Sequence, residues 1–272
     1  TARSDISVEN SGSGNLNVTT TSGVQQFTAG TGSINVLNTG TGNISVATGT
    51  GAQHWDATAG GMSIAGSAAG GLGGSLVATG ASNVQATNQT ITAQSLVLHG
   101  GVGTSRNATV QANGIQAITV GAGGITLTGG NGTATTSIAQ ISQNSATGTQ
   151  TITVNDGGSI VLTAGDGSGN GNVARINDNG VSQNLVFAAG GSIQITAGGA
   201  GNNNVAQIRA NNGTSGVQTQ SIGGAPNITV TGGIAGGAAG SGNIASISND
   251  RGSQNITAGS ILLEAGLGGV EN

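Results

Sequence analysis

Apolar residues recur two apart in short runs along this chain, and the runs recur in groups of three. From residue 89 onward each group opens on a glutamine: Gln89, Gln116, Gln150, Gln183, Gln220 and Gln254, at spacings of 27, 34, 33, 37 and 34 residues. The first run of a group reads Ala117-Ile118-Thr119-Val120, Thr151-Ile152-Thr153-Val154 and Asn184-Leu185-Val186-Phe187 in successive copies. The second reads Ile125-Thr126-Leu127-Thr128, Ile160-Val161-Leu162-Thr163, Ile193-Gln194-Ile195-Thr196, Ile228-Thr229-Val230-Thr231 and Ile261-Leu262-Leu263-Glu264. The third carries Ile138-Ala139-Gln140-Ile141, Val173-Ala174-Arg175-Ile176, Val205-Ala206-Gln207-Ile208 and Ile244-Ala245-Ser246-Ile247. Period-two alternation rich in β-branched residues predicts strands buried on one face. In the third run Ala and Ile share a parity, which puts both inward and leaves the preceding Val or Ile at a corner.

The amino-terminal part repeats with a period near 28. Ile6, Ile34 and Met62 align, as do Val8, Val36 and Ile64, then Leu16, Ile44 and Leu72. The same spacing pairs Phe27 with Trp55 and predicts a structural aromatic stack. One continuous solenoid over 1–272 is expected, with coils of period about 28 in 1–75, an irregular transition over 76–115 and coils of period about 34 in 116–272. Leu76, Val84, Ile91, Leu96, Leu98 and Val110 are the expected core of the transition.

Self-similarity at this period is the mark of a stacked repeat. A unit of about 34 residues at roughly 3.3 Å each makes one circuit about 110 Å around, and coils about 4.8 Å apart stack into a rod. The predicted fold is all-β: a parallel β-helix, or β-solenoid, of about eight to nine coils of roughly 28 to 35 residues, each with three short strands. Antiparallel hairpins would favour two-residue turns and would not require the same residue type at the same angular position in every unit. Gly at the corners lets one backbone lie on the next. Asn113, Asn144, Asn179 and Asn211 recur three residues after the last core residue of the third run and are expected to stack as an amide ladder.

Composition narrows the picture. Gly supplies 55 of 272 residues, aromatic residues 1% and charged residues 5%, which excludes an ordinary core of large side chains. Regular Ile, Val and Leu at a net charge of −4 argue against disorder, and a single Pro argues against collagen. Without cysteine there are no disulfide staples and no thiolate metal sites. Five basic residues in total exclude a nucleic-acid groove. Apolar runs such as Leu96-Val97-Leu98 are far too short for a transmembrane segment, and Thr1-Ala2-Arg3-Ser4-Asp5 does not read as a signal peptide.

Candidate chemistry is sparse. His54 stands beside Trp55 and Asp56 and reads as a surface corner around the aromatic stack rather than as a small site; His99 reads as a solvated turn residue. Gly165-Asp166-Gly167-Ser168-Gly169-Asn170-Gly171-Asn172 has the look of a calcium or phosphate loop, yet it offers one carboxylate where calcium takes six to eight oxygens. It reads as a corner. Arg175 and Arg209 are too few for a basic patch. No catalytic, cofactor or metal residues are therefore assigned. Thr126, Thr163, Thr196 and Thr229, with Glu264, are expected to form one outward file, with Thr128 and Thr231 nearby; such a ladder serves solubility or, alternatively, contacts a glycan or ice.

The units Gly-Ser-Ile-Val-Leu-Thr-Ala-Gly at 158–165, its variant at 191–198 and Gly-Asn-Ile-Ser-Val-Ala-Thr-Gly at 42–49 resemble the repeat bodies of filamentous-haemagglutinin-type bacterial surface exoproteins. That resemblance implies a right-handed parallel β-helix and the role of an extended adhesin or biofilm-matrix protein exported across an outer membrane to the cell surface. The longer repeat and the lack of a recognisable secretion domain depart from that family and fit a segment of a longer exoprotein. Neither end shows a capping helix, so open strand edges are expected to recruit another chain. The expected function is a non-enzymatic extracellular structural protein, self-associating head-to-tail into a fibre, sheath or adhesive filament. The alternative is a glycan- or ice-binding module, and a polysaccharide lyase or hydrolase is the third possibility.

Overall fold

The computed structural model describes residues 2, 4–11, 14–20, 23–38, 44–48, 52–65, 82–101, 106–131, 136–165, 169–199, 201–211, 218–233 and 242–266. Among them are 22 strands and no helix. Every strand pairing between coils is parallel, and the strands stack in three columns: the chain is a parallel β-solenoid.

The first column begins with Val24–Thr28 and the leading parts of Ala52–Ala65, Asn88–His99 and Ile115–Thr128. It continues with Thr149–Val154, Ser182–Phe187, Gln218–Gly223 and Gly252–Ile256. The second takes Ile6–Asn10, Ile34–Asn38, the trailing parts of the same three long strands, Ser159–Thr163, Ser192–Thr196, Asn227–Thr231 and Ser260–Glu264. The third runs eight strands deep, from Leu16–Thr20 through Ile44–Thr48, Ser82–Ala86, Ala108–Ala112, Ala139–Gln143, Ala174–Asp178 and Ala206–Ala210 to Ala245–Asn249.

Register follows residue type. Ile6, Ile34, Met62, Leu96, Ile125, Ile160, Ile193, Ile228 and Ile261 stand one on the next in a single file through the second column. A slip by one residue would turn every one of these side chains out to water, so the pattern itself fixes the pairing. In the third column Ala139, Ile141, Ala174, Ile176, Ala206 and Ile208 are fully buried, while Val173 and Val205 sit at the rim and Ile244 is exposed. The columns continue through 82–101 and 106–115: Val84 pairs with Val46 and Val110, and Ile91 with Trp55 and Ile118. Variation in repeat length is taken up at corners, with register shifts between Ala57 and Gly61 and between Val120 and Gly124. Leu72 and Leu76 lie outside the described residues.

One glycine column shows why the corners tolerate no side chain. A Cβ on Gly130 would run into the Gly101 carbonyl, one on Gly165 into that of Gly130, one on Gly198 into that of Gly165, and one on Gly233 into that of Gly198. Each coil lies on its predecessor with backbone touching backbone at this corner. Only hydrogen fits between them.

Candidate functional site

The most distinctive feature of the interior is polar. Gln25, Gln53, Gln89, Gln116, Gln150, Gln183, Gln220 and Gln254 occupy one position of the first column and share the inward parity of Phe27, Trp55, Ile91, Ile118, Ile152 and Leu185. From Gln53 onward each amide donates from Nε2 to Oε1 of the glutamine one coil earlier, at 2.5 to 3.2 Å, giving seven consecutive bonds from Gln254 back to Gln25. The second Nε2 hydrogen reaches a third-column carbonyl: Val18, Val46, Asn177 and Arg209 accept from Gln25, Gln53, Gln150 and Gln183 at 3.0 to 3.3 Å. A primary amide has two donors and one acceptor oxygen, and Gln53, Gln150 and Gln183 use all three in this arrangement. The ladder therefore ties each coil to its neighbour and the first column to the third.

Sequence reasoning assigned an amide ladder to the asparagines instead. Along that column one side-chain contact links neighbouring coils, Asn179 Nδ2 to Asn144 Oδ1 at 3.4 Å, and Asn113 and Asn144 are exposed. An exposed amide exchanges its partner with water at little cost, whereas a buried one must be paired. A different asparagine set bridges coils at the corner before the third column. Asn172 Oδ1 accepts from Ser137 N at 3.2 Å, Asn204 Oδ1 from Asn172 N at 2.9 Å, and Asn243 Oδ1 from Asn204 N at 2.9 Å.

The outward threonine file is placed two residues away from part of its expected membership. Thr163 stands against Thr196, but their vertical neighbours are Thr128 and Thr231, and Thr231 Oγ1 donates to Glu264 Oε2 at 3.0 Å. Thr126 faces Val161, and Thr229 lies between Gln194 and Leu262. A strand step of two returns to the same face but not to the same height on the strand, so Thr126 and Thr229 belong to a parallel, chemically mixed file.

Phe27 and Trp55 do stack, with ring centroids 4.1 Å apart and planes 13° from parallel. The stack is internal: Trp55 is buried and occupies the position held by Ile91 in the next coil, so it decorates no surface corner. His54 points the other way and is exposed. His99 is half-buried at the end of Asn88–His99, above Thr128 in register, and desolvation lowers its pKa; it is not a freely solvated turn residue. Asp166, Gly167 and Ser168 of the glycine-rich loop lie outside the described residues. Arg175 gives Nε and Nη2 to Gln140 Oε1 at 2.8 and 2.6 Å, and burial followed by the charge of Arg209 lowers its pKa. Arg209 forms an ion pair with Asp250.

One ionisable group sits where none was expected. Asp178 ends the strand Ala174–Asp178 with the inward parity of Ala174 and Ile176 and has no exposed surface. Its Oδ2 accepts from Gln218 Nε2 at 2.8 Å and its Oδ1 from Gly180 N at 3.2 Å. Burial outweighs both bonds and pushes its pKa up to about 7. Among the described residues no group of three His, Cys, Asp or Glu side chains converges to hold a metal ion. Compared with known proteins, the chain matches no family model, no curated protein and no solved structure.

Proposed function

We propose that this chain is a structural rod: a non-enzymatic extracellular protein of the filamentous-haemagglutinin-like kind, exported to a bacterial surface, whose coils associate end to end into a fibre, sheath or adhesive filament. The observation that carries the reading is the unbroken glutamine ladder. Seven equivalent amide bonds run through the interior along one direction, and every coil offers the next the same carbonyl acceptor and the same apolar file. A stack built this way gains stability with each added coil, because the favourable terms are contacts between nearest neighbours.

A second copy seats on stations that every coil repeats: Gln183 on Gln150, Ile193 on Ile160 and Ile195 on Leu162 make one set of contacts, so the surface a coil offers the next is the surface it also accepts. The exoprotein-like units at 158–165, 191–198 and 42–49 support the extracellular setting.

Negative-stain electron microscopy of the purified chain across a concentration series tests the proposal. Single-file rods of constant width whose length grows with concentration are expected. Short particles of one length at every concentration would overturn self-association.

A further inference from the structure

Asp178 lies at a three-way joint. In the third column it stands between Gln143 of the coil before and Ala210 of the coil after, and Gln218, from the first-column strand of a later coil, donates Nε2 to both its carboxyl Oδ2 and its main-chain oxygen at 2.8 and 2.9 Å. Gln143 and Gln218 are fully buried. Gln143 spends its Nε2 on the Gly114 carbonyl at 3.0 Å, which fixes the direction of its amide and leaves Oε1 buried without a hydrogen-bond donor. That oxygen borders Gly180, where an added Cβ would lie 2.8 Å from it, and Gly180 N is the group donated to Asp178 Oδ1. Two acceptor oxygens from successive coils thus share one dry corner. A carboxylate there has no hydrogen to offer, and a buried acceptor left unpaired is costly.

We propose that Asp178 is carried in the folded solenoid as a neutral carboxylic acid whose hydroxyl is donated to Gln143 Oε1, making this corner a pH-sensitive joint between coils that is tight in acid and loosened when the proton leaves. The charged groups around it do not supply an alternative. The strands Ala139–Gln143, Ser182–Phe187 and Gln218–Gly223 carry no titratable side chain, nor do residues 212–217 of the sequence. Arg175 and Arg209 have the opposite, outward parity on their strands; Arg175 is bound to Gln140 and Arg209 to Asp250. The elevated pKa of Asp178, caused first by desolvation, agrees with the neutral form.

The sign of the dependence follows from linkage. The unfolded chain releases this proton near pH 3.9, while the folded chain holds it to about pH 7. Stability tied to the proton is complete below the lower value, falls between the two and stays low above the upper one. The test compares the full chain with Asp178→Asn by chemical denaturation from pH 4 to 8.5. For the wild type the folding equilibrium constant should fall by about a thousandfold across the window, one decade per pH unit. Asp178→Asn, whose amide supplies the proposed donor permanently, should fold, remove that fall and exceed the wild type above pH 7. A variant that fails to fold, or whose pH curve runs parallel to the wild type, would overturn the proposal. Infrared difference spectra at pH 6 give an independent reading: a protonated-carboxyl C=O band present in the wild type and absent from Asp178→Asn is expected, and its absence from both would equally overturn it.

Discussion

Replacing Gln150 by methionine isolates the polar part of the ladder, because the two side chains have similar length and volume while methionine neither donates nor accepts comparably. Gln150 gives Nε2 to Gln116 Oε1 at 2.8 Å and to the Asn177 carbonyl at 3.3 Å, and receives Gln183 Nε2 at 2.8 Å. The substitution leaves the Gln116 oxygen and one Gln183 hydrogen buried without partners. At about 1–3 kcal/mol for each buried unsatisfied group, the expected loss is roughly 2–6 kcal/mol. Gln150→Ala adds a cavity and should lose about 1 kcal/mol more. Thr151→Ala, on the outward side of the same strand, should stay within about 0.5 kcal/mol. The double variant Gln150→Met, Gln183→Met removes a bond that both single variants also remove, so its loss should be smaller than their sum by about 1 kcal/mol or more. Urea unfolding followed by far-UV circular dichroism, with backbone hydrogen exchange to localise the effect, reads all of these. A Gln150→Met chain within 0.5 kcal/mol of wild type, or a strictly additive double variant, would refute the claim that the ladder holds coils together.

Gly165→Ala should prevent that coil from seating on the Gly130 carbonyl and lower stability by more than about 2 kcal/mol, whereas Gly223→Ala, with open space where its Cβ would go and no left-handed backbone, should raise it by up to about 1 kcal/mol; thermal melts distinguish the two. Ala225 has a φ of 54°, so Ala225→Gly should relieve strain and raise the melting temperature, a gain of about 1 kcal/mol. Thr163→Lys combined with Thr196→Lys alters the outward file without touching the interior. Unchanged stability and unchanged rods in micrographs are expected, and loss of binding to a glycan panel or to ice crystals with the fold intact would transfer the function to that face.

The architecture was legible because the core file is written at nearly every coil: β-branched residues two apart at a fixed angular position leave few other ways to bury them. The aromatic pair could be read from its 28-residue spacing, but not its placement, since alternation says which residues share a face and the Gln25–Phe27 and Gln53–Trp55 parity was needed to show that the face is inward. The same signal held the clue to the ladder. Glutamine two residues ahead of a buried isoleucine, in coil after coil, lies on the core face; a polar residue there reads as a strand boundary unless its partners in neighbouring coils are considered. Asp178 was hidden for the same reason, as its inward parity with Ala174 and Ile176 is plain only once the strand is known to continue to its fifth residue. Thr126 and Thr229 fall outside the threonine file because a shared residue type does not report register. The joint at Gln143, Asp178 and Gln218 could not be read at all, for it depends on corner geometry that no period encodes.

The most direct measurement is side-chain amide hydrogen exchange of the glutamines by NMR in the intact chain. The Nε2 hydrogens of Gln53, Gln89, Gln116, Gln150, Gln183 and Gln220 should be protected to the level of the slowest backbone amides. Exchange of these ladder glutamines at the rate of a free primary amide, in a chain whose backbone remains protected, would contradict the account.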